Sequence, residues 1–144
     1  MPDVKGDGSA QTMLGSVPLF SSLSKSQLHT MAVTAKERTY KDGQTIVQQG
    51  EKGIGFYLII AGQARIEKGG KPVATLGVGQ YFGEMALLDE QARTADVRAS
   101  GLVRCLVLSP WEFWSAVGNE PEVLRTLLKE TVRRLRSSSA ALSE

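Results

Sequence analysis

From Glu37 to Leu108 the chain is a series of short apolar runs cut by turn residues. The cuts are Lys41-Asp42-Gly43-Gln44, Gly50-Glu51-Lys52-Gly53, Ala61-Gly62 and Gly69-Gly70-Lys71-Pro72. Between and beyond them lie Thr45–Gln49, Phe56–Ile60, Ala64–Lys68, Val73–Leu76, Tyr81-Phe82, Ala95–Ala99 and Leu102–Leu108. None is long enough for a stable helix, and β-branched or aromatic residues recur in them. The spacing predicts about eight antiparallel strands closed into a β-roll or jelly roll, over residues 37–108.

The flanks read as helix. Val17–Leu23 suits a single 3₁₀ turn, and Ser24-Lys25-Ser26-Gln27 is a capping box with Ser24 as N-cap. Leu28, Met31, Ala32 and Ala35 follow at helical spacing, so residues 17–36 are predicted helical, ending near Lys36. Ser109-Pro110-Trp111-Glu112 is a second capping box, with proline at its first helical position and Gly118 as its stop. Asn119-Glu120-Pro121-Glu122 repeats the pattern. The last helix places Leu124, Leu127, Leu128, Val132 and Leu135 on one face, with Arg125, Lys129, Arg133, Arg134 and Arg136 largely elsewhere. The apolar face is read as packing against the roll, with a helix seam as the alternative, and the basic stripe as a solvated face. Ser137-Ser138-Ser139 predicts fraying after Arg136, so the C-terminal helices are placed at 110–137. Residues 1–13 are polar and glycine-containing, and are predicted to be mobile, leaving 14–144 as one domain.

Composition removes several function classes. A net charge of +2 is too small to argue for direct nucleic-acid binding. The lone cysteine, Cys105, excludes an intramolecular disulfide, and the N-terminus has no apolar signal segment; both fit a cytoplasmic protein. No apolar run is long enough to span a membrane. One histidine, His29, and one cysteine supply no metal set, which also argues against a histidine-rich metalloenzyme on a jelly roll. No enzymatic activity and no metal are expected.

The chemistry concentrates in Phe82-Gly83-Glu84-Met85-Ala86-Leu87-Leu88 and, after a short spacer, Arg93-Thr94-Ala95. Gly83 lets the backbone approach a ligand closely. Glu84 to Leu88 can open a short helix whose free N–H groups face an anion, and Arg93 can return as a bidentate phosphate partner. Glu84 cannot bind phosphate; beside a phosphate site a carboxylate needs a hydroxyl, such as a ribose 2′-OH. Together these residues describe a nucleotide pocket.

This run resembles the phosphate-binding cassette of cyclic-nucleotide-binding domains, found in cAMP-dependent kinase regulatory subunits, bacterial catabolite activators and cyclic-nucleotide-gated channels. Gly50-Glu51, Gly53, Phe56-Tyr57, Ile59 and Gly62 also match the family's upstream pattern, with a departure at Ile54, where the family prefers Asp or Asn. The resemblance implies a regulatory ligand, cAMP or cGMP. It assigns Gly83, Glu84, Met85, Ala86, Leu87, Arg93, Thr94 and Ala95 to the pocket and Arg134 of the last helix to a lid over the base, with Leu135 as the second choice. Thr94 permits cGMP without excluding cAMP; cAMP is the expected ligand. Ligand occupancy is expected to reposition the C-terminal helix and so to signal to an effector protein or a fused effector domain. The alternative is a ligand-free β-roll acting as a protein–protein interaction module.

Overall fold

The computed structural model describes residues 8–52, 55–87, 93–118 and 120–143, without the side chains of Met85, Arg134 and 137–143. In order, it contains α1 (Ser9–Gly15), a 3₁₀ turn (Pro18–Phe20), α2 (Lys25–Thr34), β1 (Lys36–Tyr40), β2 (Thr45–Val47), β3 (Phe56–Lys68), β4 (Lys71–Leu76), β5 (Tyr81–Phe82), a second 3₁₀ turn (Glu84–Leu87), β6 (Asp96–Leu108), α3 (Pro110–Val117) and α4 (Pro121–Ser143). The fold is mainly antiparallel β with flanking helices. Its one sheet runs β1-β6-β3-β4, with β2 also paired to β6 and β5 to β3.

Among the described residues there are six strands, against the eight expected. Phe56–Ile60 and Ala64–Lys68 join into β3, and Ala95–Ala99 and Leu102–Leu108 join into β6. The glycines read as strand ends are bends within strands. Ala61 pairs with Arg104 and Gln63 with Ser100, so Gly62 faces a stretch of three residues and the ladder bulges there. Gly62 has φ +85°, and a Cβ on it would run into the Leu102 carbonyl oxygen. Only glycine accepts both the dihedral and the close backbone.

The bulge lets one strand serve two cores. Phe56, Leu58 and Ile60 face the helices, where they join Phe20, Met31, Leu106, Leu108, Phe113 and Val123 in one buried cluster. Tyr57 and Ile59 face the interior of the roll with Phe82, Val97, Val103 and Cys105. Beyond Gly62 the inward parity shifts, so that Ala64 and Ile66 continue the interior wall.

Both complete capping boxes form as read: Ser24 with Gln27 and Ser109 with Glu112 exchange reciprocal side-chain-to-backbone hydrogen bonds. Other expectations need correction. Residues 9–13, predicted mobile, belong to α1; Ala10 and Leu14, four residues apart, are buried against the rest of the helical layer. Residues 1–7 lie outside the described residues. α2 stops at Thr34, and Lys36 already opens β1. α4 passes Arg136 and reaches Ser143, because Ala140-Ala141-Leu142 restores the helix propensity that the three serines lower. Of the predicted apolar face of α4, only Leu127 is buried; the other buried contact is Val123, and Leu124, Leu128, Val132 and Leu135 are exposed.

Two outcomes follow from the packing. Gly62→Ala is expected to destabilise the fold by about 3 kcal/mol or more, since dihedral strain and a backbone clash add. Gly43→Ala, at φ +80° with open space around it, is expected to cost about 1–2 kcal/mol; urea unfolding of both variants reads the difference. Burial pushes the Cys105 thiol from 9.0 up to about 12 and the Tyr40 hydroxyl from 10.0 up to about 12. Both groups ionise more readily unfolded, so their contribution is full below pH 9 and is lost as pH climbs from 9 to 12. The melting temperature is expected to fall through that window, and iodoacetamide at pH 8 is expected to label Cys105 only as fast as the protein opens.

Candidate functional site

β5 ends at Phe82, and the chain turns at Gly83 with φ +83°. A Cβ at Gly83 would lie 2.5 Å from Arg93 Nη1 and 2.5 Å from the Gly55 carbonyl oxygen. Gly83 is thus required by the arginine that packs on it as well as by its dihedral. Arg93 is held from both ends. Its N–H donates to the Glu51 carbonyl at 2.7 Å, and its carbonyl accepts from Gly50 N–H at 2.9 Å. Its Nη2 donates to the Gly55 carbonyl at 2.6 Å.

The guanidinium carbon sits 5.8 Å from the centroid of the Tyr57 ring, which stacks on Phe82 at 4.8 Å and 4°. This places a cation over an aromatic pair, an arrangement that stabilises charge in a half-dry site. Burial lowers the Arg93 pKa from its ordinary value, opposed by Tyr57 and by Glu84. Burial likewise raises Tyr57, opposed chiefly by Arg93. Arg93 Nε is buried without a hydrogen-bond partner. A half-buried guanidinium with an unspent donor retains capacity for an anion.

Glu84 to Leu87 form one 3₁₀ turn rather than the start of an α-helix, with Ala86 N–H donating to the Gly83 carbonyl at 3.0 Å. A single turn has little macrodipole, so its contribution to anion binding is reduced to individual N–H groups. Ala86 and Leu87 are buried, and Leu87 belongs to the helix-side core. The Leu87 carbonyl accepts from Trp114 Nε1 of α3 at 3.0 Å.

The structure therefore brings Gly83, Glu84 and Arg93 together. Ala95 is half-buried and Thr94 exposed beside them. The side chains of Met85 and Arg134, together with Leu88 and the spacer residues 89–92, lie outside the described residues, as does Ile54. Arg134 lies on the fourth turn of α4, a helix anchored to the core through Val123 and Leu127. A cleft of about 110 Å³, lined by Val47, Gln48, Lys52 and Tyr57 among others, adjoins Arg93. Among the described residues no cluster of three or more His, Cys, Asp or Glu is placed to hold a metal. No helix among them is long and apolar enough to cross a membrane.

Sequence reading missed three participants. Tyr57 was visible as part of a buried strand and of the upstream pattern, with no role in the pocket; what it carries depends on which strand lies over it. Gly55 acts through its carbonyl, which no side-chain motif reports. Trp114 lies in the helix that the Ser109 capping box opens, and its indole N–H, which needs a partner when half-buried, is a usable signal.

Trp114→Phe keeps an aromatic ring, though a smaller one, and leaves the Leu87 carbonyl without this donor, so about 1–2 kcal/mol of stability should be lost in urea unfolding. Gly83→Ala is expected to cost more, about 2–4 kcal/mol, because Arg93 must leave its seat on Gly55 and Tyr57.

Residues 37–120 match the sequence model of the cyclic nucleotide-binding domain family. The chain is 34% identical over 120 residues to a cAMP-dependent protein kinase regulatory subunit of Blastocladiella emersonii, covering 80% of this chain and 30% of that protein. It is 36% identical over 116 residues to the corresponding subunit of Schizosaccharomyces pombe, covering 80% and 28%. The chain thus spans about three-tenths of the length of these relatives. Among solved structures, it resembles the N-terminal domain of a transcriptional regulator from Streptomyces coelicolor, with TM-score 0.79, 28% identity and coverage of 92% and 95%. It also resembles the regulatory domain of Toxoplasma gondii protein kinase A crystallised with cAMP, with TM-score 0.69, 28% identity and coverage of 88% and 49%. With the roll, the cassette and these matches in agreement, the chain belongs to the cyclic nucleotide-binding domain family.

Proposed function

We propose that this chain is a sensor module for a 3′,5′-cyclic nucleotide, cAMP ahead of cGMP. The observation that carries the reading is the Arg93 guanidinium, half-buried over Tyr57 and packed on Gly83, with Nε unspent and Glu84 within electrostatic reach. Arg93 neutralises the cyclic phosphate, helped by N–H groups of Leu87 and Ala95, while Glu84 accepts from the ribose 2′-OH. The Ala86 N–H takes part only if it leaves the Gly83 carbonyl. A charge-assisted hydrogen bond contributes about 1.5–3 kcal/mol, so three or four of them, about 4.5–12 kcal/mol together, span the roughly 8 kcal/mol of micromolar binding. The regulatory-subunit relatives and the cAMP-bound neighbour support the choice of nucleotide.

Signal leaves the site through helices. Trp114 ties α3 to the cassette carbonyl of Leu87, so a ligand that moves the cassette also pulls on α3. α4, which follows α3, is read as the element that closes over the base, with Arg134 stacking on it and cytoplasmic signalling to an effector as the output. This is a population shift, in which ligand favours the closed arrangement. The chemistry is binding rather than turnover.

The test is calorimetry and thermal shift with cAMP, cGMP and 5′-AMP. cAMP at 100 times its Kd is expected to add about 2.7 kcal/mol of stability, read as a rise of several degrees. Arg93→Ala should weaken cAMP binding at least about tenfold, and Glu84→Ala, which removes the acceptor, should erase the preference for cAMP over its 2′-deoxy analogue. Equal shifts with 5′-AMP, or unchanged affinity in Arg93→Ala, would overturn the reading.

A further inference from the structure

α4 carries more apolar surface than its attachment uses. Val123 and Leu127 are buried in the helix-side core and anchor it. Leu124 and Val132 remain 40% and 38% exposed, and Leu128 and Leu135 are each 65% exposed. At roughly 100° per residue these four side chains share an arc of about 80°, starting about 60° from Leu127. Their spacing of four, four and three residues makes a continuous seam over about three turns, roughly 16 Å long.

The rim of this seam is basic. Arg125, Lys129 and Arg136 are exposed and occupy the next roughly 40° of the helix surface. From Pro121 to Arg136 the helix has five cations and two acids, Glu122 in its first turn and Glu130. Glu130 lies on the roll side, its side chain 13% exposed, and accepts from Arg133 Nε at 3.2 Å. Among the described residues no ion pair engages Arg125, Lys129 or Arg136.

An apolar seam of helical length with a one-sided cationic edge specifies its complement. We propose that this face docks an acidic amphipathic helix of a partner protein, its apolar residues against Leu124, Leu128, Val132 and Leu135 and its carboxylates against Arg125, Lys129 and Arg136. A helix fits because knobs at this spacing fill the holes of a facing helix. Carboxylates fit because cations at the edge of a drying seam need an opposite charge. A second copy fits poorly. Antiparallel, it would set basic edge on basic edge; parallel, it would bring the Leu127 side of its helix, which has no free carboxylate, to that edge. The inference is argued from α4 as it packs in this structure, and its test needs no nucleotide.

The probe is a pair of three-heptad peptides with leucine at the seam positions, flanked by glutamate in one and lysine in the other. By calorimetry with the full chain, the glutamate peptide is expected to bind at least about tenfold tighter than the lysine peptide, with affinity falling as salt rises. Arg125→Glu/Lys129→Glu/Arg136→Glu should reverse the preference, and Leu128→Asp/Leu135→Asp should abolish binding of both. All five positions are exposed, and circular dichroism checks that the variants remain folded. Absence of binding, or equal binding of the two peptides, would overturn the proposal. So would a doubled mass in light scattering that Leu128→Asp/Leu135→Asp removes, which assigns the seam to a second copy. Sedimentation with phosphatidylserine vesicles, lost in that variant and unaccompanied by peptide binding, would assign it to a membrane.

Discussion

The β3–β6 ladder is the constraint on which everything else depends. It is the longest pairing in the molecule, reaching from Phe56 opposite Leu108 to Glu67 opposite Asp96. Each strand has two faces, and both are buried over much of their length: one under the helices, the other inside the roll. Thirteen residues would be too long for a flat strand to wrap a small interior. The Gly62 bulge bends the ladder where the backbone of Leu102 crowds it, so the roll closes without either strand ending.

That closure places the site. Tyr57 faces the interior because Phe56 and Leu58 face the helices, and its ring becomes the platform for Arg93. Phe82 stacks behind Tyr57, and the turn that follows places Gly83 directly against the guanidinium. The arginine is thereby held half out of water, where its interaction with an anion is stronger than at the surface. The same helical layer that covers the other face of β3 contributes Trp114, whose indole holds the cassette carbonyl of Leu87. Core and candidate site share a strand, and cassette and helices share a hydrogen bond.

Local chemistry was legible where it is satisfied locally. Ser24 with Gln27 and Ser109 with Glu112 form capping boxes because the partners are three residues apart. Gly83, Glu84 and Arg93 were legible because charge type and glycine freedom are properties of the residues themselves. Strand number was not. Ala61-Gly62 and Ser100-Gly101 look like stops along the chain, yet each is continued by pairing to the other strand. α1 was hidden because its buried anchors, Ala10 and Leu14, gain their stability from a core that composition does not display.

The sequence by itself determined the β-rich middle, the helical flanks, the two capping boxes and the cation, carboxylate and glycine of the cassette, since these depend on periodicity and side-chain chemistry over a few residues. Only the tertiary structure decided that four of the apolar runs join into two long strands, that Tyr57 and Gly55 receive Arg93, that Trp114 holds Leu87, and that Val123 anchors α4 while Leu128 and Leu135 face outward. The reason is physical. A helix wheel or an alternating strand fixes which residues share a face, but which face is dry depends on what packs against it from a distant part of the chain.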